Sequence, residues 1–216
     1  MRWITLGFTG AMLAVASTAA LGDGYQQKVE EIEKRRQRWK AEDVASAQQF
    51  LENSAIAVSQ AWLGTTWALG APQTKHPGQG QINCGTFVGT VLRDIGFRVN
   101  VSKLQRQPSQ LIIQSFTPHL RKFSRTPIDK FLSAVRDMGP GLYIVGLDFH
   151  VGFLRVTSED VRFIHASYIH HYVINEDASS AKALIDSQYR VVGRILTEQN
   201  ARDWIAGRAI TVKGNW

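Results

Sequence analysis

Asn83-Cys84-Gly85-Thr86-Phe87-Val88-Gly89-Thr90-Val91-Leu92-Arg93-Asp94-Ile95-Gly96 is the stretch on which the reading of this chain turns. Phe87, Val88, Val91, Leu92 and Ile95 recur at intervals of three and four, which predicts a helix with one apolar face. Gly96 closes the pattern, and Asn83 or Cys84 sits at its N-terminal edge, where an asparagine side chain can cap free amides. The preceding segment, 64–83, holds two of the chain's six prolines among several glycines and reads as a loop. A cysteine at a helix start meets unpaired N–H groups and the positive helix end, both of which favour thiolate over thiol. Gly85 leaves the backbone open to a substrate, and its amide pairs with that of Cys84 as donors for an oxyanion. On this local pattern alone, a buried structural thiol and a nucleophile are both open readings.

Cys84 is the only cysteine in 216 residues. That excludes an intramolecular disulfide scaffold, a cysteine-only zinc site and a CxxC redox pair. The start of the chain adds weight to the thiol. After Arg2, the run Ile4–Leu21 carries no charge and ends in Ser17-Thr18-Ala19-Ala20-Leu21-Gly22. A short basic start, an apolar core and a small-residue exit read as a secretory signal peptide over 1–22, with an uncleaved membrane anchor as the alternative. The expected location is therefore exported, periplasmic or secreted. A free thiol in an oxidising compartment is a liability unless it is buried or used.

Outward from Cys84, residues 25–63 lack proline and glycine and read as one long helical region. Between Asp23 and Glu52, seven acidic residues face six basic ones, so 23–57 is expected to be a charged helical extension with a solvated face. Beyond Gly96, short helices are predicted around Leu104–Ser115 and Pro127–Met138. Alternating or apolar runs then predict strands at 142–147, 150–156, 161–167, 171–175 and 189–196. A short helix near Ala178–Asp186 precedes the last strand, and 201–216 forms a tail. The order predicts an α+β domain over 58–200, with helices packed against an antiparallel sheet.

A nucleophilic cysteine needs a base, and the base needs an orienting partner. His150 opens one predicted strand, on the same face as Gly152 and Leu154, and Gly152 leaves room beside its ring. His165 lies in the next strand, VRFIHAS, one tight turn away. Antiparallel pairing of the two would bring the imidazoles together, although each alone is equally well a satisfied core or surface histidine.

Four stretches in order, GTTWALG (64–70), NCGTFV (83–88), HVGFL (150–154) and IHAS (164–167), resemble the motifs of the NlpC/P60 family, papain-like cysteine peptidases that cleave peptide or amide bonds in peptidoglycan. The resemblance covers about residues 58–196. It implies a papain-like α+β fold in which Cys84 is the nucleophile, His150 the general base and His165 the residue that holds the imidazole. Trp67 falls where the family commonly has a tyrosine assisting the oxyanion site. Asn83 stands in place of an aspartate, and Gly85-Thr86 in place of Ser-Gly. The implied chemistry is acyl transfer through a thioacyl intermediate, with no metal or organic cofactor required.

The net charge of +7 is unevenly spread. Arg98–Pro140 holds eight basic residues against two acidic ones, so this excursion is expected to form a basic cleft wall. Such a wall suits peptidoglycan stem peptides or other anionic envelope substrates, and transient contact with an anionic membrane surface. Nucleic acid is not expected, because interleaved aromatics are few. His170 and His171 alternate in direction on a strand, and no HExxH motif is present, so metal chemistry is not expected. Two other readings stay open. One is an amidase or acyltransferase directed at lipid or other amides, with Leu111, Ile112, Ile113 and Phe116 building an apolar pocket. The other is a non-catalytic wall-binding or effector-like protein.

Overall fold

The computed structural model describes residues 24–70 and 72–214. The expected signal segment, 1–22, lies outside the described residues. Helix α1 spans residues 24–36 and α2 spans Val44–Ala61. The predicted single helix is thus broken at 37–43 without any proline or glycine. The break lets Trp39 turn back onto Phe50, whose ring packs in turn on Trp204, with ring centroids about 6 Å apart in both pairs.

The two helices run antiparallel, because Tyr25 at the start of α1 meets Trp62 just past the end of α2. The Trp62 indole donates to the Tyr25 hydroxyl at 2.9 Å, and that hydroxyl donates to Asp94 at 2.6 Å. Tyr25, Ile32, Leu51, Ala55 and Val58 belong to the main apolar core. The charged segment expected as an extension therefore packs on its own domain, and a boundary at 57/58 would cut through α2.

Helix α3, Cys84–Asp94, follows two short strands, β1 (Thr66–Trp67) and β2 (Gln81–Ile82), inside the stretch expected to be only a loop. Next come α4 (Val101–Leu104), α5 (Ser109–Gln114), β3 (Arg121–Ser124) and α6 (Ile128–Arg136). The strands that follow are β4 (Gly141–Gly146), β5 (Val151–Val156), β6 (Val161–Ser167) and β7 (Tyr172–Asp177). The chain ends with α7 (Lys182–Asp186), β8 (Tyr189–Arg194) and α8 (Glu198–Ile205). The α+β class stands.

The eight strands form one sheet in the order β2-β1-β7-β6-β5-β4-β8-β3. It is mixed rather than purely antiparallel, since β1 and β2 run parallel at one edge. Alternate residues of β4 divide between two cores: Leu142 and Ile144 join the α2–α3 side, while Tyr143 and Val145 join Phe131, Leu132 and Leu184 from α6 and α7. A sheet covered on both faces reads as continuous apolar runs, as LYIVGL does here. Phe87 of α3 meets Phe153 of β5 edge-on at 6.0 Å, which seats α3 on the sheet with Cys84 at the strand ends.

Candidate active site

The α3 start is built as its sequence suggests. Asn83 is the cap, in extended backbone conformation, and its side-chain oxygen accepts from the Thr86 amide at 2.8 Å. The helix ladder opens with Phe87 N–H to Asn83 O at 2.9 Å. The amides of Cys84 and Gly85 precede it; they have no carbonyl partner within the helix and turn toward the Cys84 sulfur. Gly85 is required for a reason other than the expected one. A β-carbon there would lie 2.8 Å from the Gln105 carbonyl oxygen, so its bare backbone admits the end of α4. The cleft above it is lined by Asn83, Cys84, Gly85 and His150, together with Gln105, Gln107 and Ser109 from the 98–140 segment.

His150 ends the 147–150 loop between β4 and β5, which is closed by Leu147 N–H to His150 O at 2.8 Å. The next residue, Val151, turns its amide toward the Cys84 sulfur. His150 is 5% exposed and His165, inside β6, is 0% exposed. His150 Nε2 lies 2.7 Å from His165 Nδ1, and His165 Nε2 lies 2.8 Å from Glu176 Oε1. Gly152 makes this possible: a β-carbon there would sit 2.6 Å from the Phe163 ring and 2.8 Å from His165 Cβ. Phe163 stacks flat on His165 at 3.9 Å, and Tyr168 packs edge-on against His150 at 5.2 Å.

This line of groups fixes the proton positions. Its hydrogen bond to His165 holds the Glu176 carboxyl below the usual carboxylate range, so it accepts. His165 therefore donates from Nε2. Burial holds His165 neutral, which leaves its Nδ1 with a lone pair. That lone pair accepts Nε2–H of His150, and the free lone pair of His150 is on Nδ1. Burial, and then His165, push the His150 pKa well below the ordinary histidine value. A neutral imidazole with a basic Nδ1 thus lines the same cleft as Cys84.

The thiol departs from the sequence expectation. Helix position was expected to favour thiolate, yet burial pushes the Cys84 pKa above the ordinary thiol value. Amides of Val151, Gly85 and Cys84 pull the other way and do not overcome desolvation. Thiol and imidazole are both neutral at rest, and the arrangement suits proton transfer during attack rather than a standing ion pair.

Glu176, the Val151 amide and Tyr168 escaped the sequence reading. Glu176 reaches His165 because β7 pairs His165 with Ile174, placing Glu176 two residues on along the same face. It also lies 3.4 Å from His170 Nε2. Trp67 packs on Tyr168 at 6.4 Å and on His171 at 6.1 Å, and its indole N–H is buried with no acceptor. It is not among the described residues that line the Cys84 cleft. The 98–140 segment does form a wall, but its contribution is uncharged instead of basic. Nor do Leu111, Ile112, Ile113 and Phe116 converge on one pocket among those the described residues form; Leu111 lines a separate depression with Gln114 and Pro118. Ile113 and Phe116 are buried in the core, and of the four only Ile112 reaches the cleft.

No protein-family model and no curated protein matches the sequence. Among solved structures, an N-acetylmuramoyl-L-alanine amidase from Bacteroides uniformis is similar at 10% identity and a TM-score of 0.35, over 68% of this chain and 98% of that one. LPG0564 from Legionella pneumophila, a DUF1460 protein, is similar at 10% identity and a TM-score of 0.38, over 85% of this chain and 96% of that one.

Proposed function

We propose that this protein is an exported cysteine hydrolase that cleaves a peptide or amide bond in cell-wall peptidoglycan. The observation that carries the reading is the hydrogen-bonded line Glu176–His165–His150, which ends in the cleft onto which Cys84 opens. A buried pair of histidines with a carboxylate behind it does no evident work for folding that apolar side chains would not do better. It does supply an oriented base in the same cleft as a candidate nucleophile. The cell-wall substrate follows from the ordered motifs that resemble NlpC/P60 peptidases, and export from the apolar N-terminal run.

Attack begins with the neutral thiol. His150 Nδ1 takes the Cys84 proton as sulfur bonds to the carbonyl carbon, and the carbonyl electrons move to oxygen. The Cys84 and Gly85 amides receive that oxyanion. The imidazolium at His150 is steadied through His165 by the Glu176 carboxylate. It then returns its proton to the departing amine as the C–N bond breaks, leaving a thioester on Cys84. Water, deprotonated by His150, cleaves the thioester and restores the thiol. Trp67 acts as a positioning residue, holding Tyr168 against His150.

The test is digestion of purified peptidoglycan by the mature protein, with products identified by mass. The reading expects a new amine and a new carboxylate at one bond, a thioester on Cys84 trapped by acid quench, and no products from Cys84→Ala. Equal product release by the Cys84→Ala protein would overturn it.

A further inference from the structure

Two features of the cleft bear on what Cys84 accepts, and the inference from them rests on the hydrolase reading above. The first is charge. Polar groups from Gln105, Gln107 and Ser109 line the cleft, and the charged side chain among the described lining residues is a carboxylate, Asp148. That carboxylate is held by the amides of Gln188 at 2.7 Å and Tyr189 at 3.1 Å. No lysine or arginine of the 98–140 segment contributes to the lining. The second is the rim. Phe149, at the tip of the β4–β5 connection, is 98% exposed, and Leu69 is 74% exposed. Single exposed apolar residues need no explanation, but both of these line the cleft that holds the thiol.

The cleft also has a direction. His150 lines a second depression, with Tyr168, Ala183 and Asp186, that shares Phe149 and Asp148 with the first. Cys84 lines only the first.

We infer that the Cys84 cleft is an acyl site for a neutral acyl group with an apolar substituent, and that it discriminates against acyl groups bearing a carboxylate near the scissile bond. A carboxylate there would shed water with no lysine or arginine among the described lining residues to receive it, in a cleft whose one charged lining residue is the acid Asp148. The protein's positive net charge does not reverse this. At physiological ionic strength, exposed charges are screened beyond about 8 Å, so the lining decides. Leu69 and Phe149 are then specificity-determining residues.

The experiment compares two alkylating agents of one size and opposite character, iodoacetamide and iodoacetate, reacting with Cys84 in 0.15 M salt. Their rate ratio is divided by the ratio for a free cysteine derivative at the same pH. The expected result is a preference for iodoacetamide of about tenfold or more, reduced in Leu69→Lys, where an exposed position gains a cation. A ratio near that of the free thiol overturns the inference, and so does failure of both agents to react. Hydrolysis separates the two claims. Butyryl amides of a fluorogenic amine should exceed succinyl amides about tenfold in kcat/KM, and Phe149→Ala should narrow the margin of butyryl over acetyl. A charge preference in alkylation without hydrolysis of any amide or of peptidoglycan overturns the hydrolase, and the acyl assignment with it, and keeps only the cleft's preference for neutral groups. Hydrolysis that ignores acyl charge does the reverse.

Discussion

His150 and His165 share one proton across 2.7 Å, and the Glu176 carboxylate at the far side of His165 decides which ring owns it. On the proposed hydrolase reading, Glu176 is thus a positioning residue acting through two imidazoles. In Glu176→Gln the amide oxygen can still accept from His165, so the tautomers persist while the charge that steadies the imidazolium is lost. In Glu176→Ala nothing specifies which His165 nitrogen carries hydrogen. We expect kcat to fall modestly in the glutamine variant and by roughly 10² or more in the alanine variant. Nitrogen chemical shifts of the two rings should show His150 protonated at Nε2 in the native protein. Finding it protonated at Nδ1 would refute the assignment.

Alkylation should report the neutral pair directly. The Cys84 pKa is raised from the ordinary 9.0, chiefly by burial, so its reaction with iodoacetamide should climb with pH through a midpoint above that value. A plateau already reached between pH 5 and 7 would mean a standing thiolate–imidazolium pair. Slow labelling near neutral pH consequently does not distinguish a hydrolase from a non-catalytic protein of this fold. Product formation does.

Acid stability follows from the same burial. His150 and His165 have folded pKa values depressed below 6.5, so the unfolded chain binds more protons than the folded one just under that pH. Their contribution is fully present above about pH 6.5 and is lost as pH falls toward the folded values. The slope should approach about 1.4 kcal/mol per pH unit for each histidine. Denaturant titrations between pH 7 and pH 5 check this, and His165→Phe should flatten the curve. A pH-independent midpoint in the native protein would count against both depressed values.

The meeting of the two histidines was legible in the sequence because HVGFLRV and VRFIHAS both read as strands and are joined by a turn too short to permit many registers. Glu176 was not, since its reach depends on the β6–β7 register across the 168–171 turn and on a diagonal neighbour. The break of the first helix at 37–43 leaves no mark such as proline. Packing of Trp39, Phe50 and Trp204 imposes it. Strands β1 and β2 are two residues each and exist by pairing at the sheet edge, which local pattern does not encode. The direction of the Cys84 shift was missed for a related reason. Helix position is local and legible, whereas desolvation is tertiary and here the larger effect.

Gly152 is the packing condition for the site. A methyl group at this position would overlap Phe163, His165 and the Ile164 carbonyl oxygen, the last at 3.1 Å. Gly152→Ala should cost about 1–3 kcal/mol of stability. It should also displace His165 from His150, so activity should fall further than the change in folded population explains. Rates at a temperature where the variant is fully folded separate the two effects. Full activity under those conditions would show that the ring has room to spare.

Trp67 combines an indole N–H that is buried without a partner and a ring that braces Tyr168, and two substitutions divide these roles. Trp67→Phe keeps an aromatic ring and removes the orphaned donor. A buried donor without an acceptor costs about 1–3 kcal/mol, so this variant should melt higher, less whatever packing the smaller ring gives up. On the proposed mechanism, in which the amides of Cys84 and Gly85 hold the oxyanion, its kcat should change less than about threefold. Trp67→Ala removes the brace, freeing Tyr168 beside His150, and should lower both stability and kcat. A hundredfold loss of kcat in Trp67→Phe at unchanged KM would instead make the indole N–H an oxyanion donor, reached by a ring shift on substrate binding.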